Sequence, residues 1–409
     1  MAHSRLNIRA VVSGLLVAGS LATGRATLAS ERLPSFNVDL GQTTVSGLSS
    51  GGYMALQFHI AFSETVRGAG IVAGGPYFCA EGQLFPNALF RCMQTFMGAP
   101  DPVRLAGIAR SLAQEERIDR LENLADDRVY LFSGTNDRTV VGAVVEAARQ
   151  FYLRAGLPAA NLEFRNNVRA GHAMPTEEFG RACSLTAPPY INDCDLDLAG
   201  AILRHLYPGL RPPAAPTSRP DGTVLAFDQT EFFRFSGLPQ PSTGSVPFSL
   251  DASMTLSPGM SPPGMPSMPS LGMSPGSPPV MPSGVSLLPG GGPTLSLNDT
   301  GFAYVPVACA PPRSEACRIH IAFHGCEQTV ADIQEQFVRN TGYNRWAEAN
   351  NIIVLYPQAR HEPPPPNQNG PNPKGCWDWW GYSGAAYATK AGPQMAVLRA
   401  MLDRLAGRQ

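Results

Sequence analysis

Short apolar runs alternate with amphipathic stretches along most of the chain. Val129-Tyr-Leu-Phe-Ser133 has the pattern of a short buried strand. Val140–Leu153 follows with apolar residues at helical spacing, Asn161–Val168 reads as the next strand, and Asp197–Tyr207 as a helix. The rhythm returns near the C-terminus. Cys317-Arg-Ile-His-Ile-Ala-Phe323 alternates as a strand does, Thr329–Asn350 carries helical spacing, Ile352–Tyr356 is a second buried strand, and Pro393–Leu405 is a closing helix. Strands that alternate with helices build a mostly parallel sheet, so the pattern predicts an α/β fold. Each half is incomplete, and one sheet built from both is more economical than two domains.

The pattern breaks in two places. Residues 255–293 hold 11 Pro, 8 Gly, 8 Ser and 5 Met without one charge, a composition with few backbone donors and little to bury. That predicts an extended or disordered linker whose methionines give it some affinity for apolar surfaces. Residues 1–29 begin with a short basic segment, pass through an apolar run from Ala10 to Ala22 and end among small residues at Gly24, Ala26 and Ala29. This is the layout of a secretory signal peptide, and the run is short for a membrane anchor, the competing reading. The expected organisation is signal peptide 1–29, catalytic domain 30–254, linker 255–293 and the rest of the catalytic domain 294–409.

Composition narrows the class of function. Hydrophobic residues make up 44% of the chain and charged residues 15%, so a sizeable core is available. Lys plus Arg number 31 against 32 Asp plus Glu, a net charge of −1; with three arginines removed in the leader it becomes 28 − 32 = −4. Neither value suits a nucleic-acid binder. No further run is apolar enough for a membrane span, so a mature protein without stable membrane insertion is expected, secreted or periplasmic. Eight cysteines in an exported chain point to disulfides. Loop proximity favours Cys79–Cys92, Cys183–Cys194 and Cys309–Cys317, leaving Cys326–Cys376 as the long-range pair. No C-x-x-C pair or His-x-x-x-His helix supports a zinc site, and no metal or cofactor is expected.

The chemistry centres on Thr44-Val-Ser-Gly47-Leu-Ser49-Ser-Gly51-Gly-Tyr-Met. Gly47-x-Ser49-x-Gly51, with a strand signal before it and a helical pattern after it, is a nucleophile elbow. A serine at a sharp strand-to-helix turn stands exposed, and glycines on either side let the backbone pack closely. The hydroxyl needs a base, and the base an orienting carboxylate, here in the chain order Ser, acid, His. Asp137 lies in Gly134-Thr-Asn-Asp137, just beyond the strand at 129–133. His172 lies in Gly171-His172-Ala-Met-Pro, again after a strand. His59 and His205 fall inside helices and read as packing or surface residues. Singly, Asp137 is also a plausible helix cap and His172 a plain loop residue; the order and context of the three favour a triad.

An oxyanion also needs donors. The backbone N–H of Ser50, the residue after the nucleophile, is one. The second normally comes from a loop that precedes the elbow in sequence, and residues 30–46 offer none. The matching element, strand then His324-Gly325-Cys326 then helix, stands near the C-terminus. The fold expected is therefore a circularly permuted α/β-hydrolase, with a mostly parallel sheet flanked by helices. Permutation is physically reasonable because domain termini often lie close together. Gly375-Cys376-Trp-Asp-Trp-Trp380 gathers three of the four tryptophans, suited to an apolar crevice or, equally, to core packing.

Together, Gly-Leu-Ser49-Ser-Gly-Gly-Tyr-Met, Ser-Gly-Thr-Asn-Asp137, Gly-His172-Ala, Phe-Asp228-Gln, Ala-Phe-His-Gly-Cys326 and Gly-Cys-Trp-Asp-Trp-Trp resemble the polyhydroxybutyrate depolymerases, of the type whose serine box precedes the oxyanion element. The resemblance covers about residues 35–240 and 298–405. It implies hydrolysis of poly(3-hydroxybutyrate) or its oligomers, with Ser49 as nucleophile, His172 as general base and then acid, and Asp137 as orienter. It also implies an oxyanion hole from the N–H groups of Ser50 and Cys326, and Trp377 and Trp380 as candidates for the substrate crevice. Secreted members usually carry a polymer-adsorbing domain after the catalytic one, whereas this chain stops at Gln409. That suggests a preference for amorphous chains or oligomers over crystalline polymer. The competing readings are a carbohydrate esterase of the feruloyl or acetylxylan kind with the same triad, and a non-catalytic surface-binding protein suggested by the Pro/Met-rich segment.

Overall fold

The computed structural model describes residues 31–213, 220–238, 294–312, 316–362 and 372–408. Residues 1–29 and 255–293, read above as signal peptide and linker, lie outside the described residues.

The first part of the chain supplies β1 (Val38–Leu48), α1 (Ser50–Ala61), β2 (Val66–Val72), α2 (Pro102–Gln114), β3 (Arg128–Phe132), α3 (Gly142–Ala155) and β4 (Leu162–Arg165). Three short strands follow, β5 (Met174–Thr176), β6 (Arg181–Ala182) and β7 (Ile191–Asp193), then α4 (Leu198–Leu206) and β8 (Thr223–Asp228). The second part adds β9 (Thr300–Val305), β10 (Cys317–Phe323), α5 (Val330–Ile333), α6 (Gln336–Asn340), α7 (Tyr343–Asn350), β11 (Ile352–Tyr356) and α8 (Pro393–Leu405).

Eight strands form one sheet in the order β4-β3-β2-β1-β10-β11-β9-β8. The first six run parallel, and β9 and β8 close one edge antiparallel. Parallel strands are covered on both faces, which is why they read as continuous apolar runs; all five residues of β11 are buried. Both parts of the chain contribute to this sheet. β10 lies beside β1 with Gly47 opposite Phe323, where permutation requires it. The fold is an α/β-hydrolase type, a mostly parallel sheet flanked by helices.

Several expectations need adjustment. Thr329–Asn350 is three helices and not one, because the chain turns left-handed at Gly342 (φ 93°) and at Gln334 (φ 54°). Of the strand read over Asn161–Val168, only Leu162–Arg165 pairs with β3. The edge strand β8 and the small β5-β7-β6 sheet escaped the pattern because their strands are short or half exposed. Four disulfides join Cys79–Cys92, Cys183–Cys194, Cys309–Cys317 and Cys326–Cys376. Among the described residues no helix is long and apolar enough to cross a membrane.

Candidate active site

Ser49 stands between the end of β1 and the start of α1, with φ 58° and ψ −123°. Such a backbone costs about 1–3 kcal/mol and persists only where its surroundings fix it. The Ser49 N–H donates to Val72 O at 2.9 Å, and its carbonyl accepts from Tyr53 N–H at 3.0 Å. The flanking glycines are required by contact. A Cβ on Gly47 would lie 2.2 Å from Gly51 O, and one on Gly51 2.3 Å from Phe323 O and 2.4 Å from His324 O. The elbow is thus pressed directly against the end of β10. On the same side, a Cβ on Gly325 would sit 3.4 Å from the Ser49 Cβ.

Asp137 lies beyond β3 and His172 beyond β4, both almost fully buried. His172 Nδ1 and Asp137 Oδ2 are 2.7 Å apart. The other carboxylate oxygen accepts from the N–H groups of Thr139 (2.8 Å) and Val140 (3.0 Å), which fixes the side chain's rotation. On the other flank the His172 N–H donates to Thr186 Oγ1 at 2.9 Å. A carboxylate so held keeps one imidazole nitrogen protonated and leaves the other free to accept.

Ser49, His172 and Cys326 line one cavity of about 220 Å³, with Met93, Tyr190 and Gln328 among its other walls. The hydrogen bond present within the Ser–His–Asp trio is the one between Asp137 and His172. Ser50 opens α1, where the helix N-terminus presents unpaired N–H groups and favours negative charge. Cys326 follows β10 and is tied by its disulfide to Cys376. A larger cavity, about 620 Å³ and lined by Glu177, Arg339 and Arg345, contains none of these residues.

The tryptophans sit elsewhere. Trp377 is fully buried, its ring 5.0 Å from that of Phe323 and 5.3 Å from His324. Trp380 is 8% exposed and packs edge-on against Trp379 and Tyr382. Neither lines the cavity with Ser49.

Residues that the sequence did not single out complete the walls. Tyr190 donates its hydroxyl to Glu327 Oε2 at 2.7 Å, and Lys374 Nζ is 3.0 Å from Glu327 Oε1. Burial and this acidic neighbour push the Tyr190 phenol up to about 12. Burial alone would raise the Glu327 carboxyl, but hydrogen bonds from Tyr190 and Lys374 outweigh it and hold it below its ordinary range. His324 is fully buried, and desolvation pushes it down to about 4. Glu327 and Gln328 directly follow Cys326 in sequence, yet each also bonds residues remote in the chain, a signal that only the fold supplies.

No protein-family model matches the chain. A "Poly(3-hydroxybutyrate) depolymerase" of Delftia acidovorans is 39% identical over 399 residues, which is 97% of this chain and 66% of that protein. A "Polyhydroxybutyrate depolymerase" of Talaromyces funiculosus is 32% identical over 93% of this chain and 94% of that protein. Among solved structures, a PHB depolymerase complexed with R3HB trimer matches 92% of this chain and 99% of its own, with a TM-score of 0.70 and 30% identity. The crystal structure of PHB depolymerase from Penicillium funiculosum matches with a TM-score of 0.69, the same identity and the same coverage.

Proposed function

This chain belongs to the polyhydroxybutyrate depolymerases, and we propose that it hydrolyses poly(3-hydroxybutyrate) or its oligomers as a serine esterase, through an acyl-enzyme. The observation that carries this reading is the convergence of three remote segments. Ser49, His172 and Cys326 line one cavity, and the His172–Asp137 bond of 2.7 Å stands behind it.

In the proposed reaction Ser49 Oγ attacks the ester carbonyl while His172 Nε2 takes its proton. The N–H groups of Ser50 and Cys326 receive the developing oxyanion, and each such donor is typically worth ~10²–10³ in turnover. His172 then gives the proton to the leaving 3-hydroxyl, and a bond to Ser49 holds the acyl group. Water, deprotonated by the same imidazole, cleaves that bond and restores the serine. Asp137 orients the ring and stabilises the imidazolium. Trp377, buried against Phe323 and His324, would act behind the oxyanion loop as a buttress; Trp380 remains a candidate only for the outer crevice.

An apolar rim favours a polyester over a sugar ester. Phe85 (67% exposed), Phe96 (79%) and Met97 are large apolar groups left in solvent, and the Phe90 ring meets those of Phe85 and Phe96 edge-on. Their segment is anchored beside the site: Met93 lines the cavity, and Gln94 Nε2 donates to Thr139 O at 3.1 Å. Four disulfides suit an oxidising compartment, and we place the protein outside the cytoplasm, in the periplasm or the medium.

Clearing of an amorphous polymer suspension, together with release of hydroxybutyrate from defined oligomers, tests the reading. Wild type is expected to clear and Ser49→Ala to be inert; equal clearing by both would overturn it. Faster turnover of feruloyl or acetyl sugars than of the hydroxybutyrate trimer would favour the carbohydrate-esterase alternative.

A further inference from the structure

We propose that Gln328 is a positioning residue for this reaction: its side-chain amide buckles the loop that carries the Cys326 N–H onto the Pro189–Tyr190 turn, which in turn bonds the strand that follows His172, and so fixes the oxyanion donor relative to the general base. The proposal rests on the serine-esterase reading above.

Gln328 is 1% exposed and lies in the wall of the Ser49 cavity. Its Oε1 accepts from the Gly325 N–H at 2.7 Å. Its Nε2 donates to Pro189 O at 2.8 Å and Tyr190 O at 3.2 Å. The amide orientation follows from its partners, since an N–H must meet the oxygen and carbonyls must meet the nitrogen. Tyr190 O also accepts from the Met174 N–H at 2.9 Å, and Met174 is two residues beyond His172. One side chain thereby joins Gly325 to the strand that follows the proposed general base.

The peptide it helps to hold is the one that matters. The Gly325 carbonyl and the Cys326 N–H belong to a single planar trans unit and point in opposite directions. The Ala359 N–H donates to His324 Nε2 at 3.1 Å, so the proton of this neutral ring is on Nδ1, 2.7 Å from Gly325 O. His324 therefore anchors the carbonyl, which sets the direction of the Cys326 N–H. Gln328 anchors the preceding N–H and carries the constraint across to the other loop. Tyr190 (φ 55°) and Glu327 (φ 56°) are both non-glycine residues in left-handed conformations, joined by their side chains at 2.7 Å. Strain held on both loops where they meet is what an over-determined junction permits. An amide that only filled space would have no need to span two loops nearly 140 residues apart in sequence.

Two variants test this. Gln328→Met keeps the approximate volume and removes every hydrogen bond. Gln328→Glu keeps the acceptor for Gly325 but turns the donor into a carboxylate oxygen facing two carbonyls; on protonation it regains an O–H donor. We would measure kcat and KM on hydroxybutyrate trimer and on p-nitrophenyl butyrate from about pH 8 down to pH 5, a span that covers the titration of a buried, raised carboxyl. The Met variant is expected to lose roughly 10- to 100-fold in kcat with KM changed less than about threefold, part of the ~10²–10³ that an oxyanion donor is worth. The Glu variant's kcat relative to wild type is expected to rise as pH falls. A Met variant within about threefold of wild type in kcat, a loss confined to KM, or a Glu-to-wild-type ratio flat with pH would each overturn the proposal. If the Met variant does not fold, the Glu ratio decides. Wild type that cleaves p-nitrophenyl butyrate but not the trimer sinks the polyester reading and leaves the Gln328 test standing. Ser49→Ala as active as wild type on both esters sinks the serine mechanism, and this proposal with it.

Discussion

Asp137 shows how one side chain's two oxygens are given different tasks. Oδ1 is committed to the Thr139 and Val140 N–H groups, leaving Oδ2 for His172. In Asp137→Asn the amide oxygen would keep the backbone donors, so the NH₂ would face His172 Nδ1. The imidazole could then stay neutral there only by moving its proton to Nε2, the position that in the proposed mechanism accepts from Ser49. We expect an intact fold and a fall of roughly 10⁴ in kcat on a soluble ester. A loss below tenfold would mean that Asp137 does not set the tautomer. Gly51→Ala is the complementary case, since it adds only a methyl group. That methyl would meet the carbonyls of Phe323 and His324, so the start of α1 must move away from the end of β10. A cost of about 1–3 kcal/mol in urea unfolding is expected, with kcat reduced as the oxyanion loop shifts away from Ser49. At this scale the sequence was informative. Ser49, Asp137 and His172 each follow the end of a strand, and chain order alone relates them. Gln328 and Tyr190 were not legible, because nothing near them in sequence says which loop they touch. Trp377 was ambiguous from composition, and its burial against Phe323 favours the packing role.

Elements near the site are stapled unequally, and the difference is testable. The Cys326–Cys376 bridge ties the proposed oxyanion loop to the buried tryptophan segment across 50 residues of chain, whereas Cys309–Cys317 closes an 8-residue separation ahead of β10. Replacing Cys326 and Cys376 by serine should cost roughly 2–5 kcal/mol in unfolding free energy and also lower kcat. Replacing Cys309 and Cys317 should cost stability with kcat within about twofold of wild type. Equal kcat in the two double variants would remove the functional distinction. The segment around Phe85–Met97 makes the opposite prediction, altering the surface without touching the chemistry. Phe96→Ser is expected to weaken adsorption to amorphous polymer and slow its clearing, with trimer hydrolysis unchanged. Slowing of both in parallel would place Phe96 in catalysis or folding. β11 was readable to the residue because burial on both faces leaves no polar interruption, and β10 because its apolar positions alternate. The segment at 84–93 was not, since its exposed phenylalanines follow neither a strand nor a helix period.

The whole molecule is organised about the seam where its late-arriving strand meets its first one. β10 inserts between β1 and β11, and the polar groups inside that seam are fully buried. His320 on β10 contacts Thr44 Oγ1 through Nδ1 and Ser46 Oγ through Nε2, each at 2.7 Å, and so clasps β1. Burial pushes His320 down to about 3 and His324 to about 4, against an ordinary value of 6.5. The sign follows from linkage. Below pH 6.5 the unfolded chain binds protons at these rings while the folded protein does not. Their contribution is therefore fully present above that pH and is lost as pH falls toward the folded values. At pH 5 each ring would lower stability by up to about 2 kcal/mol, from about 1.36 kcal/mol per pH unit. The protein should consequently melt at progressively lower temperature between pH 7 and pH 4.5, with proton uptake on unfolding. His320→Asn should be less stable at neutral pH because it disturbs the clasp. Its stability should nevertheless change less with pH, by up to one proton or about 1.4 kcal/mol per unit between about pH 6 and pH 4. Urea unfolding of both proteins across that range measures the difference. Parallel curves would mean that the seam's histidine is not what makes this fold sensitive to acid.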